Sequence, residues 1–328
     1  MKLASHLHPD LFKAALPEEP NRIGYGEGLK AAGEKNNKVV ALSADLTGST
    51  KTNMFAEAFP ERFVQAGIAE QNMASVASGM AAMGKVPFIA SYAMFSPGRS
   101  WEQVRTTIAY NEANVKVIGA HAGVSVGPDG ATHQAIEDIA IMRVIPGMTV
   151  LSPCDINEAR KMTEWAAEYE GPVYMRIARE KTPVVTTEQS PCEPGKLMPL
   201  LEVEGDDIVT IISTGTVLYQ ALEAGKKLNE AGIKTAVSHL GTIKPLDTDA
   251  VLAAAKRSTC IVTVEEHQVA GGMGSVIAEV LSSLCPTKMI RVGIEDQFGQ
   301  SGEPEELLAH YGIDVDSIVN RVTDVVSN

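Results

Sequence analysis

The sequence has few of the residues that mark disulfide-rich, nucleic-acid-binding or membrane proteins. Its 4 cysteines form neither a CxxC pair nor a metal-ligand spacing, so we interpret them as reduced thiols in a cytoplasmic protein. The net charge of −13 argues against nucleic acid, whose phosphates require a basic surface. No apolar run reaches the roughly 18 residues of a membrane span. The N-terminus also lacks the continuous apolar segment of a secretory signal, so we expect no membrane or nucleic-acid partner.

Short apolar runs that alternate with helical patterns occupy most of the chain. This alternation is typical of an α/β fold whose parallel strands are joined by right-handed crossovers. The length of 328 residues suffices for two such domains. We predict strands at 39–44, 63–68, 86–91, 115–120, 148–152 and 173–177 for a first sheet, and at 208–213, 234–239, 260–264 and 289–293 for a second.

The stretch 180–196 is rich in Pro, Thr and Glu and indicates a linker between the two sheets. We therefore divide the chain into an N-terminal extension, a first domain, a linker and a second domain, with the boundaries 1–20, 21–182, 183–196 and 197–328. Each domain is expected to be a mostly parallel sheet flanked by helices.

Polar and aromatic residues follow the predicted strands of the first domain. In open α/β sheets ligands bind beyond the carboxyl ends of the strands, so these residues should meet at one edge of the sheet. They are Asp45, Glu70, Tyr92, Phe95, His121, Asp129, His133, Asp155 and Arg179. Such a gathering of carboxylates, rings and cations predicts an active site there.

Glu70 opens a helical segment with an apolar stripe. At helical spacing the stripe contains Met73, Val76, Ala77, Met80, Ala81 and Gly84. A carboxylate at the head of such a stripe is poorly hydrated as an anion, which suits a group that holds or passes a proton. The alternative is that Glu70 only stabilises the helix N-terminus, where acidic residues are favoured.

Two pairs of rings also have alternative explanations. Tyr92 and Phe95 lie three residues apart and can form a stacking wall for a flat ring or simply pack in the core. His121 and His133 flank a loop rich in Gly and Pro, which indicates either a shaped site or surface residues. Thr132 is a candidate N-cap for the helical pattern that follows.

Three further residues suit the binding of an anion. Arg179 ends a strand at the proposed site, while Arg22 is a second candidate cation; the alternative for both is a surface salt bridge. Ser49 lies in a loop that can present hydroxyl and N–H groups to a phosphate, although no P-loop pattern is present. The glycines of 24–30 follow no strand and do not predict dinucleotide binding. In the second domain, His267 is a weak site candidate.

Several motifs together resemble the thiamine-diphosphate-dependent transketolase family. The strings SADL, GIAEQNM, SYAMF and GPDGATHQAIEDIAIMR, which contain Asp45, Glu70, Tyr92, Phe95, Asp129 and His133, are similar to the pyrimidine-binding domain of that family. The strings TIKPLD (242–247) and VEEHQVAGGMGS (264–275) are similar to its C-terminal domain. The resemblance extends over about residues 20–325.

The resemblance implies a role for each site residue. Glu70 would bind N1′ of the aminopyrimidine of thiamine diphosphate, favouring the imino form that takes a proton from C2 of the thiazolium. Glu70 and His133 are the implied catalytic residues, and Asp45, Tyr92 and Phe95 the further cofactor contacts. Arg22, Ser49, His121 and Arg179 would bind the substrate phosphate, and Asp129 and His133 the sugar hydroxyls. The implied reaction, which belongs to the pentose phosphate pathway, moves a two-carbon ketol unit from a ketose phosphate to an aldose phosphate.

Two departures from the family pattern modify this expectation. The GDG…N motif that binds diphosphate and metal has no counterpart here, since the PDG at 128–130 belongs to the sugar-binding loop. We therefore expect no metal ligands on this chain. A separate N-terminal-type subunit would hold Mg²⁺ (or Ca²⁺ or Mn²⁺), and thiamine diphosphate would lie between the subunits of an α2β2 assembly. In addition, Gly98 stands where many transketolases carry an aromatic residue, and Trp101 is a candidate to compensate.

Three alternatives remain open from the sequence. The chain can be the second half of a 1-deoxyxylulose-5-phosphate synthase-like enzyme, which also carries a GIAEQ motif. It can be the β subunit of a 2-oxoacid dehydrogenase, although His121, His133 and Arg179 argue against an acid substrate without phosphate. A non-catalytic partner subunit is the third, and the intact Glu70 and aromatic residues argue against it.

Overall fold

The computed structural model describes residues 1–326, which form an α/β fold with two main sheets. The strands are β1 (Lys2–Leu3), β2 (Glu18–Pro20), β3 (Val39–Ser43), β4 (Phe63–Gln65), β5 (Val86–Tyr92), β6 (Lys116–Ala120), β7 (Thr149–Leu151), β8 (Val173–Arg176), β9 (Lys181–Pro183), β10 (Met198–Glu202), β11 (Ile208–Ser213), β12 (Thr235–His239), β13 (Thr242–Lys244), β14 (Ser258–Gln268) and β15 (Lys288–Ile294).

The helices lie between these strands. They are α1 (Asn21–Lys35), α2 (Asn53–Ala58), α3 (Glu70–Ala82), α4 (Trp101–Gln103), α5 (Asp138–Arg143), α6 (Ile156–Glu168), α7 (Leu218–Glu230), α8 (Thr248–Arg257), α9 (Met273–Leu284), α10 (Pro304–His310) and α11 (Val315–Val326). A π-helical turn over Val104–Ala109 continues α4, and short 3₁₀ turns lie at Pro60–Arg62, Val124–Asp129 and Gly215–Val217. Among the described residues, no helix is long and apolar enough to cross a membrane.

The first sheet has the strand order β13-β7-β8-β6-β5-β3-β4. All neighbouring pairs are parallel except β13 on β7, which is antiparallel. The six strands predicted for this sheet are present. From β3 the chain moves to β4 on one side and returns to β5 on the other, so a topological switch point lies at β3. Ligands of open α/β sheets bind at such points, beyond the carboxyl ends of the strands.

The second sheet has the order β1-β10-β12-β11-β14-β15, with parallel pairing from β12 to β15 and antiparallel pairing of β10 and β1. The four predicted strands are present as β11, β12, β14 and β15. Three features go beyond the sequence prediction. The chain start joins the second sheet through β1, β13 joins the first sheet, and β2 pairs with β9 in a two-stranded ribbon. These four strands, β1, β2, β9 and β13, have only two or three residues each, too few to show a hydrophobic period.

Close packing of α1 against α6 explains the glycines of 24–30. A Cβ on Gly24 would lie 2.0 Å from the carbonyl oxygen of Ile156, and one on Gly28 would lie 2.6 Å from that of Arg160. Only glycine therefore lets the two helix backbones approach at these positions. The glycines of 24–30 are therefore explained by helix packing and not by dinucleotide binding.

A continuous hydrophobic cluster joins the two domains. From the first domain it contains Met73, Ile108 and Ile139, and from the second Ile212, Leu240 and Ile277, all 0% exposed. Because protein interiors are close-packed, such a shared cluster holds the two sheets in one relative orientation. The carboxyl edge of the first sheet is thereby set on a rigid support.

The helix α3 begins at Glu70, as the sequence indicates, but its buried face differs from the predicted stripe. Glu70, Met73 and Ala77 are buried, and Ala74 replaces Val76, which is 38% exposed. Gly84 is exposed and lies beyond the end of the helix, in a turn with φ of 79°. The buried face of α3 is therefore narrower than the apolar stripe that the sequence predicted.

Candidate active site

Two of the predicted site residues lie in sharp turns at the carboxyl ends of β3 and β6, the strands on either side of β5. Asp45 follows β3 with φ of 61°, and His121 follows β6 with φ of 57°. Left-handed backbone is costly for residues other than glycine and gathers at functional sites, where the surrounding structure enforces it. The backbone N–H of Asp45 donates to Oε1 of Gln65, which anchors this turn to the end of β4. The Asp45 side chain itself is exposed.

Four rings cluster beyond β5 and β6. The ring centroids of Tyr92 and His121 are 3.9 Å apart and nearly parallel, while Tyr92 and Phe95 stack with an offset at 5.9 Å. His133 meets the edges of both aromatic rings, at 6.0 Å from Tyr92 and 5.5 Å from Phe95. The structure therefore brings together four residues that come from two separate segments of the sequence.

His121 is a neutral imidazole in this cluster. It is 1% exposed, and burial lowers its pKa to about 3, with the charges of Arg22, Arg179 and His133 acting in the same direction. Its Nδ1 is buried without a hydrogen-bond partner among the described residues. A buried polar atom normally has a partner, so this nitrogen is suited to a ligand.

Two arginines lie close enough to influence His121. Nη1 of Arg179 donates to the carbonyl oxygen of Val126 at 2.8 Å and contacts Oδ1 of Asp129 at 3.3 Å. Nη1 of Arg22 donates to the backbone carbonyl oxygen of Ser49 at 2.9 Å, while its Nε is buried and unpartnered among the described residues. Burial lowers the pKa of Arg22, and the charge of Arg179 adds to this.

His133 and its neighbour are arranged differently from the sequence prediction. Oγ1 of Thr132 lies 2.9 Å from Nδ1 of His133, so the hydroxyl orients the imidazole. The prediction that Thr132 caps the following helix is wrong, because α5 begins only at Asp138 and Glu137 occupies the cap position. The intervening residues form a turn that carries His133 towards the aromatic cluster.

Glu70 is 1% exposed and pairs with a residue that the sequence did not indicate. Its Oε2 accepts a hydrogen bond of 2.9 Å from Nη1 of Arg99. The guanidinium carbon of Arg99 also lies 4.7 Å from the centroid of the Phe95 ring. The sequence contained one signal for this contact: Arg99 follows Phe95 by four residues, the spacing of one helical turn. In the structure the backbone N–H of Arg99 donates to the carbonyl oxygen of Phe95 at 3.0 Å, which closes such a turn. Glu70 also lies in the first turn of α3, where the helix dipole favours an acidic residue.

The Trp101 side chain does not replace the aromatic residue that many transketolases carry at the position of Gly98. Its Nε1 donates to the carbonyl oxygen of Ile141 at 2.7 Å, which directs the indole towards the core between the domains. A Cβ on Gly98 would lie 2.1 Å from the carbonyl oxygen of Met94, so this loop has no room for a side chain at residue 98. Arg99 supplies the planar group that contacts Phe95 instead.

His267 is accounted for by its structural bonds. Its Nδ1 lies 2.7 Å from the carbonyl oxygen of Gln268, and its Nε2 accepts from the backbone N–H of Ala140 at 3.4 Å. Burial lowers its pKa to about 4. The glycine-rich segment after β14 opens α9, and the Glu265 carboxylate accepts hydrogen bonds from the backbone N–H groups of Met273 and Gly274.

A second group of buried polar residues lies between the two domains. One ligand-type atom from each of Cys154, Glu158 and His239 lies within 4.8 Å of the others, a set that can hold a metal ion. The residues are already bonded to each other, because Oε2 of Glu158 accepts from the backbone N–H of Cys154 at 2.7 Å and lies 2.8 Å from Nε2 of His239. The geometry is that of an ion pair that ties α6 to β12.

The site residues fit one part of the implied cofactor. Glu70 and Phe95 already share one planar group, the Arg99 guanidinium, through a hydrogen bond and a ring contact. A buried carboxylate and an aromatic ring in that arrangement can bind a flat heteroaromatic ring in the same two ways. The orphaned Nδ1 of His121 and the two arginines add donors for an anion. Asp155, in contrast, is structural: it caps α6 and accepts two hydrogen bonds from Thr186.

Comparisons with known proteins show the family to which the chain belongs. The chain matches the family models of the transketolase pyrimidine-binding domain over residues 20–184 and of the transketolase C-terminal domain over residues 200–318. A protein of Methanocaldococcus jannaschii that carries the name of a transketolase C-terminal section is 46% identical, over 92% of this chain and 95% of that protein. A 6-deoxy-6-sulfo-D-fructose transketolase subunit of a Clostridium species is 38% identical, over 96% of this chain and 97% of that protein. A solved split-gene transketolase, described as an inactive tetramer of β subunits, has a TM-score of 0.85 and 42% identity, covering 95% of this chain and 99% of that one.

Proposed function

Because the chain belongs to the transketolase family, we propose that it is the C-terminal subunit of a split transketolase that uses thiamine diphosphate. The subunit would transfer a two-carbon ketol unit from a ketose phosphate to an aldose phosphate. The cofactor would lie at its interface with a separate N-terminal-type subunit. One observation carries the proposal: beyond the carboxyl ends of the first sheet, the buried Glu70 carboxylate at the head of α3 and the Phe95 ring contact the same planar guanidinium, that of Arg99.

Glu70 would handle the proton that the cofactor needs. When bound, thiamine diphosphate supplies a carbon nucleophile and a sink for electrons, chemistry that no protein side chain provides. Glu70 would share a proton with the aminopyrimidine in a dry pocket, since its side chain is only 1% exposed. Phe95, supported by Tyr92, would hold the ring by stacking, and Asp45 would lie near the cofactor.

The remaining site residues would bind the sugar phosphate. Arg179 and Arg22 supply positive charge, and the neutral His121 supplies an uncommitted ring nitrogen. Ser49 lies in the same region, since its carbonyl group holds Arg22. His133 and Asp129 would bind sugar hydroxyls, with His133 as the second catalytic residue.

Exposed apolar side chains support a partner subunit at this face. Ile68, directly before α3, is 73% exposed, Val76 on α3 is 38% exposed, and Met83 at its end is 83% exposed. These three side chains are spread along the length of α3, and several exposed apolar groups on one helix are more typical of an interface than of a free surface. We propose that the N-terminal-type subunit covers this face, holds the diphosphate and its divalent metal ion, and forms an α2β2 assembly.

Reconstitution tests the proposal. Ketol transfer from xylulose 5-phosphate to ribose 5-phosphate would be measured with thiamine diphosphate and Mg²⁺, first with this chain alone and then after adding the N-terminal-type subunit from the same genome. We expect activity only in the mixture.

The other outcomes discriminate between the alternatives. Activity of the chain alone would contradict the shared site and mean that its own residues bind the diphosphate and metal. An inactive mixture that nevertheless accepts pyruvate as donor would favour a deoxyxylulose-phosphate synthase-like or oxoacid enzyme. A mixture inactive with every donor would support a non-catalytic role.

A further inference from the structure

Arg99 occupies a position between the two groups that the proposed function assigns to the cofactor ring. Its Nη1 donates to Oε2 of Glu70 at 2.9 Å, and its guanidinium carbon lies 4.7 Å from the centroid of Phe95. A guanidinium group is planar, carries several N–H donors and stacks on aromatic faces. It therefore offers the same two features as the imino form of the aminopyrimidine: a flat face for Phe95 and an N–H donor for Glu70.

We propose that Arg99 and the aminopyrimidine of thiamine diphosphate compete for Glu70 and Phe95, so that Arg99 has to leave both before the cofactor is seated. The inference rests on the proposed function, because it takes Glu70 and Phe95 as the pyrimidine contacts. It makes Arg99 a gating residue, which acts through Glu70 and takes no part in the reaction itself.

The two ends of the pair differ in their freedom to move. Glu70 is 1% exposed and is fixed in the first turn of α3, whereas the Arg99 side chain is 48% exposed. The backbone around Arg99 is held, since the N–H groups of Gly98 and Arg99 donate to the carbonyl oxygens of Ala93 and Phe95. Exchange with the cofactor therefore requires only rotation of the Arg99 side chain towards solvent, with no change in the loop.

Arg99 also accounts for the stability of a buried carboxylate at this position. An unpaired charge in the interior is costly, and an arginine that donates to it offsets part of that cost. When the cofactor is bound, the aminopyrimidine takes the place of Arg99 in the hydrogen bond to Glu70. Glu70 therefore has a hydrogen-bond partner both with and without the cofactor. Arg99 thus supplies a hydrogen bond to the proposed catalytic carboxylate until the cofactor binds.

Cofactor affinity is the direct measurement. Thiamine diphosphate, with Mg²⁺, would be titrated by calorimetry into the assembly reconstituted with the N-terminal-type subunit. Arg99→Ala, which removes the competitor, should bind the cofactor roughly 3- to 30-fold more tightly than the wild type, a range between an exposed ion pair and a charge-assisted hydrogen bond. Arg105→Ala is the matched control: Arg105 is an exposed arginine in the adjoining π-helical turn, and the change should leave the affinity unaltered.

Chemical labelling gives a second readout that does not depend on activity. Phenylglyoxal modifies exposed arginines, and peptide mass spectrometry reports the rate at each one. If the cofactor displaces Arg99, labelling of Arg99 in the wild-type assembly should become faster when thiamine diphosphate is added. Labelling of Arg105 should remain constant.

The outcomes separate failure of this inference from failure of the proposed function. Equal or weaker cofactor binding by Arg99→Ala, or slower labelling of Arg99 with cofactor, would overturn the competition and make Arg99 part of the cofactor wall. Absence of cofactor binding by the wild type and by both variants would overturn the proposed function, and the inference with it. A thermal melt of each variant verifies that the fold is retained, which is expected because both side chains are exposed.

Discussion

Replacing Glu70 by glutamine is the sharpest test of the catalytic assignment. Glutamine has nearly the same shape and, being neutral, removes the acid–base function while filling the same buried space. Groups that transfer a proton in the rate-determining chemistry typically contribute roughly 10²–10⁴-fold. We therefore expect Glu70→Gln to lower the ketol-transfer rate of the reconstituted assembly by at least about 100-fold, which is about 3 kcal/mol or more in the barrier.

The structure predicts a much smaller effect on stability. The partner of Glu70 is Arg99, whose side chain is 48% exposed and hydrated without the pair. Loss of an ion pair with one exposed member costs about 1 kcal/mol or less, and glutamine does not leave a buried charge behind. The loss of activity should therefore exceed the loss of folding free energy, and the melting temperature should change only slightly.

The assay compares initial rates with xylulose 5-phosphate and ribose 5-phosphate at saturating thiamine diphosphate, together with a thermal melt. The matched control is Glu230→Gln, an exposed glutamate at the end of α7 in the second domain, which should leave the rate unchanged. A Glu70→Gln assembly that retains its fold and works within tenfold of the wild-type rate would refute the assignment of Glu70 as the proton-handling group.

Three further changes test other parts of the structure. Replacing His239 by glutamine should destabilise the chain by about 3 kcal/mol in chemical denaturation, because it breaks a buried ion pair with Glu158. Burial alone would lower the pKa of His239, but the Glu158 carboxylate raises it above 6.5, so the loss should be largest between about pH 4.5 and 6.5 and shrink as the pH rises through the raised pKa. Gly119→Ala should cost about 1–3 kcal/mol, since its Cβ would lie 2.3 Å from the hydroxyl oxygen of the fully buried Tyr174. Arg179→Gln should raise the KM for sugar phosphates roughly tenfold with little change in kcat, as expected for a phosphate contact.

The glycine and arginine predictions each have a matched control on the same chain. Gly79→Ala, in the interior of α3 with no atom within 4 Å of the added Cβ, should be neutral or stabilising by up to about 1 kcal/mol. Arg321→Gln removes an arginine from an exposed ion pair with Glu295 in the second domain and should leave KM unchanged. A His239→Gln chain with wild-type stability at pH 6 would contradict the ion-pair interpretation, and an equal effect of the two glycine changes would contradict the packing argument.

Hydrophobic period and turn residues sufficed to predict the two sheets. Each of the strands of 39–44 and 208–213 has an apolar run bounded by polar or glycine-containing segments, and both are fully buried in the structure. The loops at the carboxyl ends of parallel strands meet, and this rule predicted that Tyr92, His121 and His133 lie near one another, as the ring contacts show. These features depend on local chain chemistry, which a sequence displays directly.

The buried stripe of α3 was predicted less well. Val76 and Gly84 fit a helical period but are exposed, because the period identifies apolar positions without saying which of them faces the sheet. The predicted cap at Thr132 failed for a related reason: its hydroxyl bonds to His133 in a turn, a competition between local bonds that propensity alone does not resolve.

The sequence by itself determined the fold class, the positions of ten strands along the chain and the sheet edge to which the candidate site was assigned, because these follow from patterns within short segments. Tertiary structure alone decided that Arg99 meets Glu70, 29 residues away, and that His239 meets Glu158 across the two domains, 81 residues away. It also decided that β13 joins the first sheet. Such contacts depend on how separate elements pack in space, and no single segment of the chain carries a signal for a partner that lies in another.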